Sequence, residues 1–120
     1  MARRELSPAK QEQLLRLRQL EQTVQNLRIQ LSEINRTLAE IEMTKKELQK
    51  QDAESEVWKT VGQVMFPKKV KDVLKELDDR AELLELKKKS FSSQEASNTK
   101  RLEELQTRLS EELGLSQPSN

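Results

Sequence analysis

Adjacent acidic residues are the first candidates for chemistry in this sequence, because two neighbouring carboxylates can share acid–base work or bind a metal ion. Such pairs occur at Asp78-Asp79, Glu103-Glu104 and Glu111-Glu112. Each lies in a stretch typical of helix, where neighbouring side chains point in different directions. The sequence has no His and no Cys to form a nucleophile–base pair, and no glycine-rich phosphate loop. We therefore interpret these pairs as solvated helix surface and expect no enzyme, no metal and no cofactor.

Two basic runs could bind phosphate groups. They are Lys68-Lys69 with Lys71, and Lys87-Lys88-Lys89. Neither run is interleaved with aromatic residues, and the 22 basic residues of the chain nearly balance its 21 acidic ones, for a net charge of +1. This balance gives no overall attraction to nucleic acid or to a membrane surface. We expect neither as a partner, although a small nucleic-acid-binding helical hairpin stays open as a less favoured alternative.

A short apolar segment in the middle of the chain could bind other proteins. It reads E-V-W-K-T-V-G-Q-V-M-F-P over residues 56–67 and contains the only Trp and one of the two Phe. Aromatic and β-branched residues predict two strands here, about 56–61 and 64–68. Gly62-Gln63 between them predicts a two-residue type II′ turn, with Gly62 at the position of positive φ.

The predicted hairpin needs a covering surface, because two isolated strands are marginal in water. Strands of partner subunits are the favoured cover, and packing of Trp58 and Phe66 on the adjoining helices of the same chain is the alternative. The residues expected to form the assembly surface are Val57, Trp58, Val61, Gly62, Val64, Met65 and Phe66.

Long helices on either side position this hairpin. Only 33% of the residues are hydrophobic and 36% are charged, a composition that favours narrow apolar stripes over a thick core. A first helix is predicted from about Pro8, with Ser7 as its N-cap, to about residue 51. Apolar residues recur on it at alternating spacings of three and four, as in a coiled coil: Leu17, Leu20, Val24, Leu27, Leu31, Ile34, Leu38 and Ile41.

The second helix is predicted over about 68–113, with Pro67 at its start. Its stripe contains Val70, Leu74, Leu77, Ala81 and Leu84, weakens at Lys88, Glu95 and Asn98, and returns at Leu102, Leu105 and Leu109. We expect a less stable middle over 90–99, where Ser, Asn and Thr are frequent. Gly114 predicts the helix end, with Leu115 folding back on it and Pro118 preventing continuation.

These elements predict a mainly α fold: an antiparallel two-helix coiled coil joined by a β-hairpin, in a single domain over 1–120 with a tail at 114–120. Both chain ends would then meet far from the hairpin. The leucines expected there are Leu6, Leu14, Leu15, Leu17, Leu105, Leu109, Leu113 and Leu115. They either pack the end of the coil or form an apolar tip for partner proteins.

Compartment is predicted from what the sequence lacks. Without Cys, disulfides are excluded and a reducing compartment is acceptable. The amino terminus is too polar for a secretory signal, and no apolar run approaches the roughly 18 residues of a membrane span. We expect a soluble, cytoplasmic protein with no membrane partner.

The central motif resembles one known family. The stretch V-W-K-T-V-G-Q-V-M-F-P-K-K-V-K-D-V-L-K-E-L between two heptad helices is similar to that of beta-class subunits of prefoldin, the hexameric co-chaperone. Trp58, Val61, Gly62, Val64 and Met65 occupy the positions that carry the resemblance. Among eukaryotic subunits, the run Lys88 to Phe91 is similar to subunit one. The sequence departs from the family in having Trp58 where Tyr is common, and in having Pro67.

The resemblance implies a function. Hairpins of this class join those of two alpha-class and three further beta-class subunits in a β-barrel platform. The assembled heterohexamer is an ATP-independent holdase whose distal tips bind non-native chains such as actin and tubulin and transfer them to the cytosolic group II chaperonin. Here residues 57–66 would enter the platform and the tip leucines would contact clients. A structural coiled-coil tether or adaptor is the main alternative.

Overall fold

The computed structural model describes residues 6–114 and contains two helices and two strands in the order α1 (Pro8–Gln49), β1 (Glu56–Val61), β2 (Val64–Lys69) and α2 (Val70–Glu112). The predicted mainly α fold with a central hairpin is confirmed. The chain divides into two compact units. We call residues 6–30 with 91–114 the terminal unit, and residues 31–90 the hairpin unit.

Helix α1 starts as predicted. The backbone N–H of Lys10 donates to Ser7 Oγ at 3.2 Å, and the N–H of Gln11 donates to the Ser7 carbonyl at 3.0 Å. Ser7 is therefore the N-cap, and Pro8 occupies the first helical position, where its missing N–H costs no hydrogen bond.

In the terminal unit the two helices run antiparallel. Lys10 pairs with Glu112, and Arg28 Nε lies 3.0 Å from Glu95 Oε1. Residues later in α1 therefore pair with residues earlier in α2. The apolar stripes face inward, as the heptad pattern predicted. The buried members are Val24, Leu27, Leu105 and Leu109.

The hairpin unit uses the same stripes. Ile34, Ile41 and Val70 are buried, while Leu74, Leu77, Ala81 and Leu84 are half-buried. Lys45, a polar residue in the α1 stripe, places its Nζ 2.7 Å from Asp78 Oδ1. This hydrogen bond is the main reason that the pKa of Lys45 is raised. A charge at the seam is therefore balanced from the opposite helix.

The two strands pair antiparallel over their whole length, from Glu56 opposite Lys69 to Val61 opposite Val64. Gly62 has a φ of 60°, and no residue other than glycine has a positive φ among the described residues. Positive φ at the first turn residue but not at the second matches a type II′ turn and excludes type I′. The predicted turn is thus confirmed.

The prediction that Pro67 begins the second helix is wrong. Pro67 lies within β2 opposite Trp58, and α2 starts three residues later at Val70. Strand β2 stays extended past Pro67 because its pairing with the segment before β1 is maintained there. The Val70 N–H donates to the Ser55 carbonyl at 2.9 Å. The Lys71 N–H likewise donates to the Ala53 carbonyl at 3.0 Å, so the segment before β1 satisfies the first donors of α2.

The two other helix ends lie close to their predicted positions. Helix α1 ends at Gln49, and Asp52 then forms a turn in which its Oδ1 accepts the Glu54 N–H at 2.9 Å. Helix α2 ends at Glu112, and Gly114 follows with a φ of 68°, the left-handed conformation common after a helix. The predicted contact of Leu115 and the role of Pro118 lie outside the described residues.

Candidate functional site

The hairpin exposes most of its apolar side chains in the single chain. Trp58 is 63% exposed and Met65 57%, values that belong to a surface and not to a core. Val61, Val64 and Phe66 are also exposed, whereas Val57 is half-buried. The structure therefore brings together all seven residues predicted for the assembly surface, including Gly62 in the turn, and leaves the large ones uncovered.

Strand pairing sorts the hairpin side chains into two faces, because successive residues of a strand point to opposite sides. One face, the tryptophan face, carries Trp58, Thr60, Met65 and Pro67. The other, the lysine face, carries Val57, Lys59, Val61, Val64, Phe66 and Lys68. Both faces are apolar toward the turn, so the exposed end of the hairpin offers two apolar sides to a partner.

Glu76 on α2 connects both strands of the lysine face to the helix. Its Oε2 lies 2.7 Å from Lys59 Nζ on β1, and its Oε1 accepts a hydrogen bond from Lys68 Nζ on β2. The hydrogen bond from Lys59, followed by that from Lys68, lowers the pKa of Glu76 to about 2. One carboxylate thus orients the base of the hairpin against α2.

A second carboxylate holds the segment that precedes β1. Glu54 accepts from Lys71 Nζ at 2.7 Å and from Lys69 Nζ at 3.0 Å. These hydrogen bonds, with Lys71 as the larger influence, lower the pKa of Glu54. The start of α2, the end of β2 and the connection from α1 therefore meet at one exposed acidic side chain.

The first basic run and one residue from each of two acidic pairs take part in such ion pairs. Lys68, Lys69 and Lys71 pair with Glu76 or Glu54, and Asp78 and Glu112 pair with lysines of α1. Within residues 6–114, no three metal-ligating side chains cluster as a metal site would require. The geometry favours structural ion pairs over a phosphate site or acid–base chemistry for these residues.

Sequence reasoning missed Glu76 and Glu54 as determinants of the hairpin. Heptad spacing identifies the residues of a seam, whereas Glu76 lies beside the seam and faces another element. The available signal was that Lys59 and Lys68 fall on the same face of the predicted hairpin, which calls for an acid on whatever element covers that face.

The leucines predicted for the tip differ in exposure within the terminal unit. Leu15 is 56% exposed, whereas Leu105 and Leu109 are 9% and 3% exposed and lie in the core. Half-buried members are Leu6, Leu14, Leu17 and Leu113, and Leu115 lies outside the described residues. Of the predicted set, Leu15 is the side chain that is most available to another molecule.

No helix in the described part of the chain is both long enough and apolar enough to cross a bilayer.

Known proteins that are similar to this chain in sequence and in structure belong to one family. The family model described as "Prefoldin subunit" matches residues 11–115. The prefoldin subunit beta of Saccharolobus islandicus (strain L.S.2.15) is 35% identical over 108 residues, which cover 90% of this chain and 86% of that protein. The prefoldin subunit beta of Methanosarcina barkeri is 32% identical over 110 residues, covering 92% and 94% of the two chains.

A solved structure shows the same fold. The crystal structure of the prefoldin beta subunit from Thermococcus strain KS-1 superimposes with a TM-score of 0.79, covering 97% of this chain and 100% of that one, at 23% sequence identity. The family model and the curated relatives establish the relationship over nearly the whole sequence, as the central motif indicated. The chain belongs to the prefoldin subunit family, as a protein of the beta class with a chaperone-associated role.

Proposed function

We propose that this chain is one of the beta-class subunits of a heterohexameric prefoldin and enters its β-barrel platform through the hairpin. As a prefoldin subunit it forms complexes with other prefoldin subunits. The proposed complex contains two alpha-class and three further beta-class subunits beside this chain. The observation that carries the proposal is the exposure of Trp58, Val61, Val64 and Met65 on a two-stranded sheet. Such a sheet is marginal alone and gains stability when strands of other subunits cover it.

The proposal includes an activity without ATP. The complex would hold non-native chains such as actin or tubulin at the tips of its coiled coils and transfer them to the cytosolic group II chaperonin, which places the subunit in the cytoplasm. Its support is the partly exposed apolar surface near the chain ends, with Leu15 as the most open member. Several weak contacts from different subunits would give a strong total attachment while each contact alone releases readily.

Assembly is tested by changing two exposed hairpin residues together. Trp58→Ala with Val61→Asp removes the largest apolar side chain and places a charge on the other face, so we expect an affinity loss of at least tenfold for an alpha-class subunit. Light scattering on a sizing column measures the native mass of the mixture, and circular dichroism should show unchanged helix content.

The matched control is Leu83→Ala with Leu86→Asp on α2, since both leucines are exposed but lie outside the hairpin. This control should assemble like the original chain. An unchanged hexamer with the hairpin variant would refute the platform role. A stable homodimer that ignores the alpha-class subunit would instead favour a coiled-coil tether.

A further inference from the structure

The two outer edges of the hairpin differ in their backbone chemistry. In an antiparallel pair, opposite residues alternate between those that exchange hydrogen bonds and those whose N–H and C=O groups point away from the partner strand. The hydrogen bond from the Val70 N–H to the Ser55 carbonyl, at 2.9 Å, marks one hydrogen-bonded pair. Every second pair along the observed register is then hydrogen-bonded as well. These pairs are Val57 with Lys68, Lys59 with Phe66, and Val61 with Val64.

The remaining pairs point their backbone groups outward. They are Glu56 with Lys69, Trp58 with Pro67, and Thr60 with Met65. On β1 all three outward residues have an N–H. On β2 the middle one is Pro67, which has no N–H, so its row of outward donors is interrupted at the centre. The described residues 6–114 contain no third strand on either edge.

We propose that the outer edge of β1 is the one along which a β-strand of a neighbouring subunit adds with a continuous hydrogen-bonded ladder. The outer edge of β2 then forms the interrupted and weaker junction. This inference rests on the proposed function, because it specifies how the hairpin would join the platform.

An edge with alternating free N–H and C=O groups fits one kind of occupant, an extended backbone. Side-chain composition supports the same choice of edge. Strand β1 carries Val57, Thr60 and Val61, β-branched residues that favour strand pairing, whereas Pro67-Lys68-Lys69 ends β2 with the residue types that natural edge strands use against pairing.

Proline substitution separates the two edges. Thr60 and Met65 face each other across the hairpin, and both outward N–H groups lie outside the ladder between β1 and β2. Thr60→Pro and Met65→Pro each remove one outward donor and leave that ladder intact, and Pro67 shows that the hairpin holds a proline at such a position. Thr60→Ala and Met65→Ala are the controls, since they change the side chain and keep the N–H.

The readout is the affinity for an alpha-class prefoldin subunit, with circular dichroism as the folding check. We expect Thr60→Pro to bind at least tenfold more weakly than Thr60→Ala, and Met65→Pro to stay within about threefold of Met65→Ala. An equal or larger loss at Met65 would overturn the assignment of the edge. If the unchanged chain forms no complex, the proposed function fails and the edge assignment fails with it.

Amide exchange on the unchanged chain gives a second measurement that needs no variant. On assembly, the outward amides of Trp58 and Thr60 should slow at least tenfold more than those of Met65 and Lys69. Equal slowing on both edges, or slowing confined to Met65 and Lys69, would contradict the proposal even if Thr60→Pro failed to fold.

Discussion

At the residue scale, Glu76 is the side chain that connects the hairpin to its helix. Its carboxylate forms an ion pair with one lysine of each strand, and its side chain remains 38% exposed to water. A single surface ion pair contributes little to stability, but a carboxylate shared by two strands also restricts their direction. We expect Glu76 to matter more for the orientation of the hairpin than for the stability of the helices.

The stability contribution of Glu76 should depend on pH. Its pKa falls from the ordinary 4.5 to about 2 on folding, so the contribution is complete above pH 4.5 and disappears as the pH falls toward 2. Glu76→Gln should therefore lower the melting temperature at pH 7, and the difference from the original chain should shrink by pH 2. Thermal melts at a series of pH values measure it.

Glu82→Gln is the control for this series, because Glu82 is an exposed acid of the same helix that forms none of the ion pairs of the described residues. It should melt like the original chain at every pH. A constant difference between Glu76→Gln and the original chain from pH 7 to pH 2 would show that the carboxylate charge is not the cause.

At the element scale, α2 is continuous from Val70 to Glu112 but its composition is uneven. Over 90–99 polar side chains form local bonds: Asn98 Nδ2 donates to the Gln94 carbonyl at 2.8 Å, and Thr99 Oγ1 donates to Glu95 at 3.0 Å. Glu95 also pairs with Arg28, and the two bonds, with that from Arg28 the larger influence, lower its pKa. Polar contacts therefore replace part of the apolar seam here.

Amide exchange should reveal a less stable middle of α2. Polar residues at the seam bury less apolar surface, and Ser and Asn are poorer helix formers than Leu or Ala, so amides over 90–99 should exchange faster than those over 74–84. Replacing the exposed Ser92 and Ser93 by Ala should slow exchange in this segment. Each substitution should raise the local free energy of helix opening by about a few tenths of a kcal/mol.

The segment 74–84 of the same Ser92→Ala, Ser93→Ala chain serves as the reference. Its exchange should not change. Protection over 90–99 as strong as over 74–84 in the original chain would contradict the prediction.

At the scale of the whole molecule, the proposed complex would separate assembly from client binding. The hairpin unit contains the residues proposed for assembly, and the terminal unit contains the leucines proposed for client contact. Changes at the hairpin surface should therefore affect assembly alone, and changes at the exposed tip leucine should affect client binding alone, so the two proposals are independently testable.

The proposed client binding is best tested at Leu15, because Leu105 and Leu109 are core residues whose replacement would damage the coil. In the assembled complex, Leu15→Ser should reduce protection of a chemically unfolded actin against aggregation by about twofold or more, since one apolar contact of several is lost. Light scattering during dilution from denaturant measures this protection, and the native mass should not change.

Ile29→Ser is the matched control, since Ile29 is 49% exposed on the same helix but lies 14 positions beyond Leu15 along α1. It should leave protection intact. Equal effects of the two variants would indicate a general response to the loss of apolar surface. Full protection with Leu15→Ser would mean that the tip leucines only pack the end of the coil.

The sequence by itself determined the helices, their inward stripes, the hairpin and its type II′ turn. These features depend on residues a few positions apart: heptad spacing selects a helix face, Ser7 and Pro8 start α1, and Gly62 supplies the positive φ of the turn. The same local signals also carried the family resemblance in the central motif.

The tertiary structure decided what depends on residues far apart in the chain. Pro67 was predicted to start a helix, but hydrogen bonds between the segment before β1 and residues 70 and 71 keep β2 extended to Lys69. Which acid would meet Lys59 and Lys68, and which tip leucines would be buried, followed from the packing of separate elements. A local pattern specifies what an element is, whereas contacts between elements set where it ends and what it exposes.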